Sequence, residues 1–212
     1  MPKTPEFLYF DLGRVLLKFD HPRMLRQMAE VAGVEIHVLR EAIMPTGSPT
    51  EGDAQWRLEA GELTEDAYYD ELCERIGRRP QRDKLEMASS DIFGPIGSSL
   101  DLLERLKEAG YRLGLLSNTC ATHWRWFLDG RFPTLNSVFE VQIGSFQVGS
   151  MKPAAPIYEA AIAKAGVPAD QIFFADDRQE NVDGAIACGI DAVLFTDTAK
   201  LEYDLRARGI DC

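Results

Sequence analysis

The most constraining feature of this chain is a phrase repeated through its second half: a short apolar run stops on polar residues, and a helical stretch closed by glycine follows. Tyr111–Leu116 stops at Ser117-Asn118-Thr119, Ile172–Ala175 stops at Asp176-Asp177, and Ala192–Phe195 makes a third run. Helices are expected from Ser98 to Gly110, from about Pro156 to Ala165 before Gly166, from Asn181 to Cys188 before Gly189, and from Ala199 to Ala207. Ser98 and Asp101 have the spacing of a capping box at the start of the first. Short apolar strands alternating with helices require right-handed crossovers and a parallel sheet covered on both faces. The expected fold class is therefore α/β, a Rossmann-like, doubly wound parallel sheet. In such a sheet the ligand crevice lies beyond the carboxyl ends of the strands.

The N-terminal run Phe7-Leu8-Tyr9-Phe10 supplies one more strand, and it ends on Asp11. A carboxylate where a buried strand meets a loop is costly unless it is paired or does chemistry. Asp11, Ser117 and Asp176-Asp177 are thus expected on one rim. Residues 18–94 read differently. Met24–Ala32, Val38–Met44, Gln55–Glu59, Glu65–Ile76 and Arg82–Ala88 favour helix, with breaks at Gly33, Pro45–Pro49 and Gly77–Pro80 and no clear strand. The expected organisation is an α/β core of residues 1–17 and 95–212, interrupted by a helical cap over 18–94, with Pro95-Ile96-Gly97 as the return hinge.

Composition narrows the partners. A net charge of −11 in 212 residues argues against nucleic acid and anionic membrane surfaces, so any anion site must carry its own positive charge. No stretch approaches a membrane span, no apolar signal region opens the sequence, and Cys73, Cys120, Cys188 and Cys212 lack metal-ligand spacing. These features suggest a cytoplasmic protein with reduced thiols, and nothing in them calls for an assembly beyond a monomer or weak homodimer.

Two kinds of chemistry fit the rim. Asp11 is a candidate nucleophile, metal ligand, or both. A carboxylate attacking phosphorus splits one hard displacement into two, and a hard cation held by Asp11, Asp176 and Asp177 would neutralise the transferring group. The plainer reading makes Asp176 a helix cap and leaves Asp177 solvated. Ser117 and Asn118 are able to hold a phosphoryl oxygen or simply to cap the next helix. Lys152, ahead of Pro153, is either a counter-charge in the crevice or a solvated lysine. Arg14 is balanced between binding a substrate anion and pairing with an acid. Trp124 and Trp126 read as helix packing, His123 as a secondary candidate for substrate contact, and Cys120 as a small buried residue at a helix start.

Taken in order, Phe10-Asp11-Leu12-Gly13-Arg14-Val15, Leu116-Ser117-Asn118, Lys152-Pro153 and Phe174-Ala175-Asp176-Asp177 resemble the four motifs of the haloacid dehalogenase superfamily. The similarity is nearest to its bacterial sugar phosphatases with a helical cap, through Asp11-Leu12-Gly13, His123 and the phrase Glu59-Ala60-Gly61-Glu62-Leu63-Thr64. The resemblance implies a phosphatase that uses Mg2+ on a small phosphorylated metabolite, a sugar phosphate in preference. It implies Asp11 as nucleophile and metal ligand, the carbonyl of Gly13 as second ligand, and Asp177 as a direct ligand with Asp176 beside it. It also implies Ser117 and Asn118 as the phosphoryl grip and Lys152 as the neutralising charge. Most relatives carry an acid at position 13 that protonates the leaving oxygen, and Gly13 cannot do so. Asp20, His21, Glu51 and Asp53 are the candidate substitutes. Two other readings remain: a metal-independent 2-haloacid dehalogenase, whose halide needs no proton, and a phosphate-binding protein on an impaired phosphatase scaffold.

Overall fold

The computed structural model describes residues 4–46 and 50–212. Met1-Pro2-Lys3 and the Gly47-Ser48-Pro49 part of the expected break lie outside the described residues. The elements run, in chain order, β1 (Phe7–Phe10), β2 (Leu17–Phe19), α1 (His21–Ala32), α2 (Ile36–Ile43), α3 (Ala54–Glu59), α4 (Glu65–Ile76), α5 (Arg82–Ser90), β3 (Phe93–Pro95), α6 (Gly97–Glu108) and β4 (Arg112–Ser117). They continue α7 (Ala121–Leu128), α8 (Pro133–Ser137), β5 (Val141–Gly144), α9 (Ser145–Val148), α10 (Ala155–Ala165), β6 (Ile172–Asp176), α11 (Gln179–Ala187), β7 (Asp191–Leu194) and α12 (Thr198–Arg206).

Five strands form a wholly parallel sheet in the order β5-β4-β1-β6-β7. The first strand lies at its centre, and the order reverses around it as a doubly wound sheet requires. Alternation along β1 sends side chains to opposite faces. Leu8 and Phe10 join Leu102, Leu103 and Leu106 of α6 and Leu201 and Leu205 of α12. Phe7 and Tyr9 meet Ile157, Tyr158 and Ala161 of α10 and Ala185 of α11. Each fully buried side chain of this size contributes roughly 1.5–3 kcal/mol. The inter-strand fit is close: a Cβ on Gly114 would lie 2.3 Å from Cε1 of Tyr9. Only glycine leaves room there for the Tyr9 ring, whose hydroxyl donates to the Ala161 carbonyl at 2.9 Å.

The helices α1, α2, α4 and α5 pack around a second apolar cluster that includes Met24, Met28, Leu39, Ile43, Leu72 and Leu85, with α3 lying against α4 and α9. Two expectations are corrected here. The segment 18–94 is not free of strand, because Leu17–Phe19 and Phe93–Pro95 pair antiparallel and form a ribbon leading out of the sheet and back. Pro95 closes that ribbon, and the Ile96 N–H donates to the Leu16 carbonyl at 2.9 Å. Three-residue strands carry no readable periodicity, and their pairing joins positions more than 70 residues apart. Ser98 does not cap α6 either. Ile96 takes the N-cap position without a side-chain bond, while the Ser98 hydroxyl meets Oγ1 of Thr198 on α12 at 2.7 Å. A tertiary partner displaces the local cap. The α/β pattern also contains β5, α8 and α9, which the sequence did not announce.

Candidate active site

The register of the sheet builds the site. Phe10 is level with Leu115 of β4 on one side and Ala175 of β6 on the other, so Asp11, Ser117 and Asp176 emerge together at the carboxyl ends. The Asp11 N–H donates to the Ala175 carbonyl at 2.9 Å, extending the ladder one residue past the strand. Asp11, Asp176 and Asp177 bring carboxylate oxygens within 4.8 Å of one another. Among the described residues they are the one group of acidic, histidine or cysteine side chains suited to hold a metal ion.

Lys152 lies at the centre of this group. Its ammonium donates to Oδ1 of Asp11 at 2.7 Å, to Oδ2 of Asp176 at 2.6 Å and to the Leu116 carbonyl at 2.9 Å, and its side chain is 1% exposed. It is not the solvated lysine of the plainer reading. Asp176 is fully satisfied, since its Oδ1 accepts from the Arg178 N–H and from Nδ2 of Asn181, both at 2.9 Å. Asp177 is half-buried and loosely paired, with Nη1 of Arg14 3.8 Å from its Oδ2. Burial pushes the Asp11 carboxyl up to about 7, with Asp176 and Asp177 adding to the rise and Lys152 opposing it. Burial and Asp176 raise Asp177 as well. Three carboxylates facing one ammonium leave an excess of negative charge in an oxygen-rich pocket. That donor set fits a hard divalent cation.

Ser117 ends β4, buried, at the edge of a cavity of about 580 Å³. Asn118 commits its amide to the lysine loop: Nδ2 donates to the Lys152 carbonyl at 2.9 Å, and Oδ1 accepts from the Lys152 N–H at 2.8 Å. Asn118 therefore fixes Lys152 and keeps one amide hydrogen for a ligand. Arg14 sits at φ 59°, a left-handed conformation rare for a side-chain-bearing residue, with its guanidinium 5.3 Å over the Phe19 ring.

The space beside Gly13 is occupied by Phe19. A Cβ at position 13 would meet Cε1 of Phe19 at 2.9 Å and lie 3.9 Å from Oδ2 of Asp11, so an acid there requires the ring to swing aside. Of the expected substitutes, His21 and Glu51 line the cavity. Asp20 instead caps α1 by accepting from the Arg23 N–H at 2.8 Å, and Asp53 accepts from the Thr50 N–H at 3.1 Å. Burial and the Arg14 charge hold His21 below its ordinary value. His123 also reaches the cavity wall, but its Nε2 donates to the Ser89 carbonyl of α5 at 3.1 Å, and burial lowers it to about 4. Trp124 packs against Phe127 and Phe146, and Trp126 lies under the Arg131 guanidinium. Cys120 is buried at the start of α7, its thiol pushed up to about 12 by burial, which makes it unreactive.

The far wall of the cavity comes from α3, with Trp56 and Glu59. Neither was singled out from the sequence as a site residue, although Glu59 opens the phrase quoted for the family resemblance. Burial pushes the Glu59 carboxyl up to about 7, against a hydrogen bond from Nε2 of Gln55 at 2.8 Å and the charge of Arg178. Among the described residues no helix is long and apolar enough to cross a membrane.

Comparison with known proteins gives the family and relatives of the same fold. The sequence model of the haloacid dehalogenase-like hydrolases matches residues 10–189. A D-ribitol-5-phosphate phosphatase of Bacteroides thetaiotaomicron is 24% identical over 180 residues, covering 82% of this chain and 84% of that protein. The crystal structure of the enzyme bt-2542 of the same organism, in complex with magnesium and inorganic phosphate, superposes with a TM-score of 0.79 at 26% identity, covering 93% of this chain and 98% of the other. The L-2-haloacid dehalogenase of Xanthobacter autotrophicus shares the fold, with a TM-score of 0.60 at 16% identity over 98% of this chain and 85% of its own.

Proposed function

The chain belongs to the haloacid dehalogenase-like hydrolases, and we propose that it is a magnesium-dependent phosphatase of small phosphorylated metabolites, with a sugar phosphate preferred. One observation carries the reading: the cluster of the buried Asp11 and Asp176, both held by Lys152, with the half-buried Asp177 beside them at a cavity of about 580 Å³. A metal-independent dehalogenase has no use for such a cluster. The phosphatase name of one relative, and the magnesium and phosphate bound by another, support the same conclusion.

In this mechanism Asp11 attacks phosphorus in line, and water later hydrolyses the phosphorylated carboxylate. Lys152 holds Oδ1 of Asp11 and leaves Oδ2 on the Gly13 side. The Ser117 hydroxyl and the remaining amide hydrogen of Asn118 receive phosphoryl oxygens, and Arg14 and Arg178 add positive charge at a rim of an otherwise acidic chain. Asp11, the Gly13 carbonyl and Asp177 would hold Mg2+, with Asp176 beside them, and the ion when bound would draw charge off the transferring group. We assign residues 18–94 to a cap that closes this cavity over a core of 1–17 and 95–212, excluding water. The test is phosphate release from a panel of sugar, nucleotide and acyl phosphates with and without magnesium. Activity should require magnesium and vanish in Asp11→Asn. Full release by Asp11→Asn, or chloride release from a 2-haloacid without metal, would overturn the assignment.

A further inference from the structure

If the chain is a phosphatase, Gly13 leaves it without the usual proton donor, and alkyl phosphates need one. Five carboxyl groups line the cavity: Asp11, Glu51, Glu59, Asp177 and Glu180. Asp11 attacks and Asp177 faces the cation pocket. A hydrogen bond from its own backbone N–H and the paired Arg178 guanidinium hold Glu180 below the usual carboxylate range, and Glu51 is exposed. His21 and His123 are both held below the ordinary histidine value, so neither is an imidazolium near neutrality. Glu59 remains.

We propose that Glu59, at the end of α3 in the cap, is the general acid and base that replaces the missing side chain at position 13, a role that rests on the phosphatase reading. Its backbone is tied to the core by one hydroxyl. Ser145, fully buried at the head of α9, donates to the Glu59 carbonyl at 2.6 Å and accepts from the Thr119 N–H at 2.9 Å, two residues past Ser117. The turn after Glu59 lies directly on α9: a Cβ on Gly61 would come 2.7 Å from the Phe146 carbonyl oxygen. These contacts fix the backbone of Glu59 against the loop that follows β4, and Glu59 lines the same cavity as Asp11 and Ser117. The groups facing it are Gln55 on its own helix, Tyr68 of α4, whose hydroxyl donates to Oε1 of Gln55 at 3.2 Å, Cys120 at the start of α7, and Arg178 beside Asp177. Of these only Arg178 is charged near neutrality, and burial outweighs it, so the carboxyl holds a proton close to pH 7.

The steps balance. As Asp11 bonds to phosphorus, the bond to the ester oxygen breaks with its electron pair, and that oxygen takes the Glu59 proton. Water then attacks the phosphorylated Asp11 while Glu59 removes a proton from it. The phosphorus–Asp11 bond breaks, phosphate leaves, and both side chains return to their starting states.

The decisive experiment compares Glu59→Gln with the unaltered protein by kcat/KM, which reports the steps through phosphorylation of Asp11, on acetyl phosphate and on the best alkyl phosphate of the panel. Acetate is a weakly basic leaving group and needs little protonation. The alkyl ester should lose on the order of 10²–10⁴-fold and lose its alkaline pH limb, while acetyl phosphate, which also reports folding, falls far less. Equal losses on both substrates, or no loss on either, would refute the role of Glu59. So would an unaltered protein that turns over acetyl phosphate and no alkyl ester. A protein inactive on the entire panel would instead refute the phosphatase assignment.

Discussion

Replacing Lys152 with methionine should destabilise the protein strongly, and magnesium should repair much of the damage. The ammonium lies 2.7 Å from Asp11 and 2.6 Å from Asp176 with its side chain 1% exposed. At an effective dielectric constant of about 20, each contact represents roughly 6 kcal/mol of Coulomb attraction. Removing the lysine also removes its own desolvation penalty of several kcal/mol, and an orphaned carboxylate can neutralise itself by taking a proton at about 1.4 kcal/mol per pH unit. The balance falls near the 3–5 kcal/mol seen when a buried pair loses one partner. Methionine fills the volume, so the loss is electrostatic. The assay is urea unfolding at neutral pH and again near pH 5, with and without magnesium. The Asp11 carboxyl already sits above its unfolded value, so the folded state binds protons more tightly, and acidification relieves the variant. A cation that binds only the folded form adds RT ln(1 + [L]/Kd). A loss below about 1 kcal/mol would refute the reasoning, as would a deficit that neither acid nor magnesium reduces.

Three further outcomes follow from the packing. Ser145→Ala removes the hydroxyl that joins Glu59 to Thr119 and leaves two backbone groups unpaired, so it should cost about 1–3 kcal/mol in chemical denaturation. Gly114→Ala forces a methyl into the Tyr9 ring and should lower stability by about 1–3 kcal/mol, whereas the same change at the open position Gly94 should be tolerated far better. His123 binds its proton more weakly folded, at about 4, than unfolded, near 6.5. Stability should therefore fall as pH drops from about 6.5 toward 4, and that slope should be shallower in His123→Gln; identical slopes would contradict the burial argument.

The sheet and its rim were legible in the sequence because their causes are local. An apolar run ending on Ser117, or on Asp176-Asp177, marks a strand end whatever surrounds it, and Gly166, at φ 68°, closes α10 where expected. Helical spacing alone placed α4 at Glu65–Ile76. Other features depend on partners distant in the chain. The ribbon of β2 and β3 exists only because residues far apart meet, and Ser98 abandons its local cap for Thr198. The four site motifs could be ordered along the chain, but only packing showed that Asn118 clamps the lysine loop and that Phe19 fills the space beside Gly13. A charged side chain reads the same in sequence whether solvated or buried. Lys152 owes its burial to the two carboxylates that three separate crossovers bring within reach, and the Glu59 carboxyl owes its raised affinity for a proton to burial at the cavity wall.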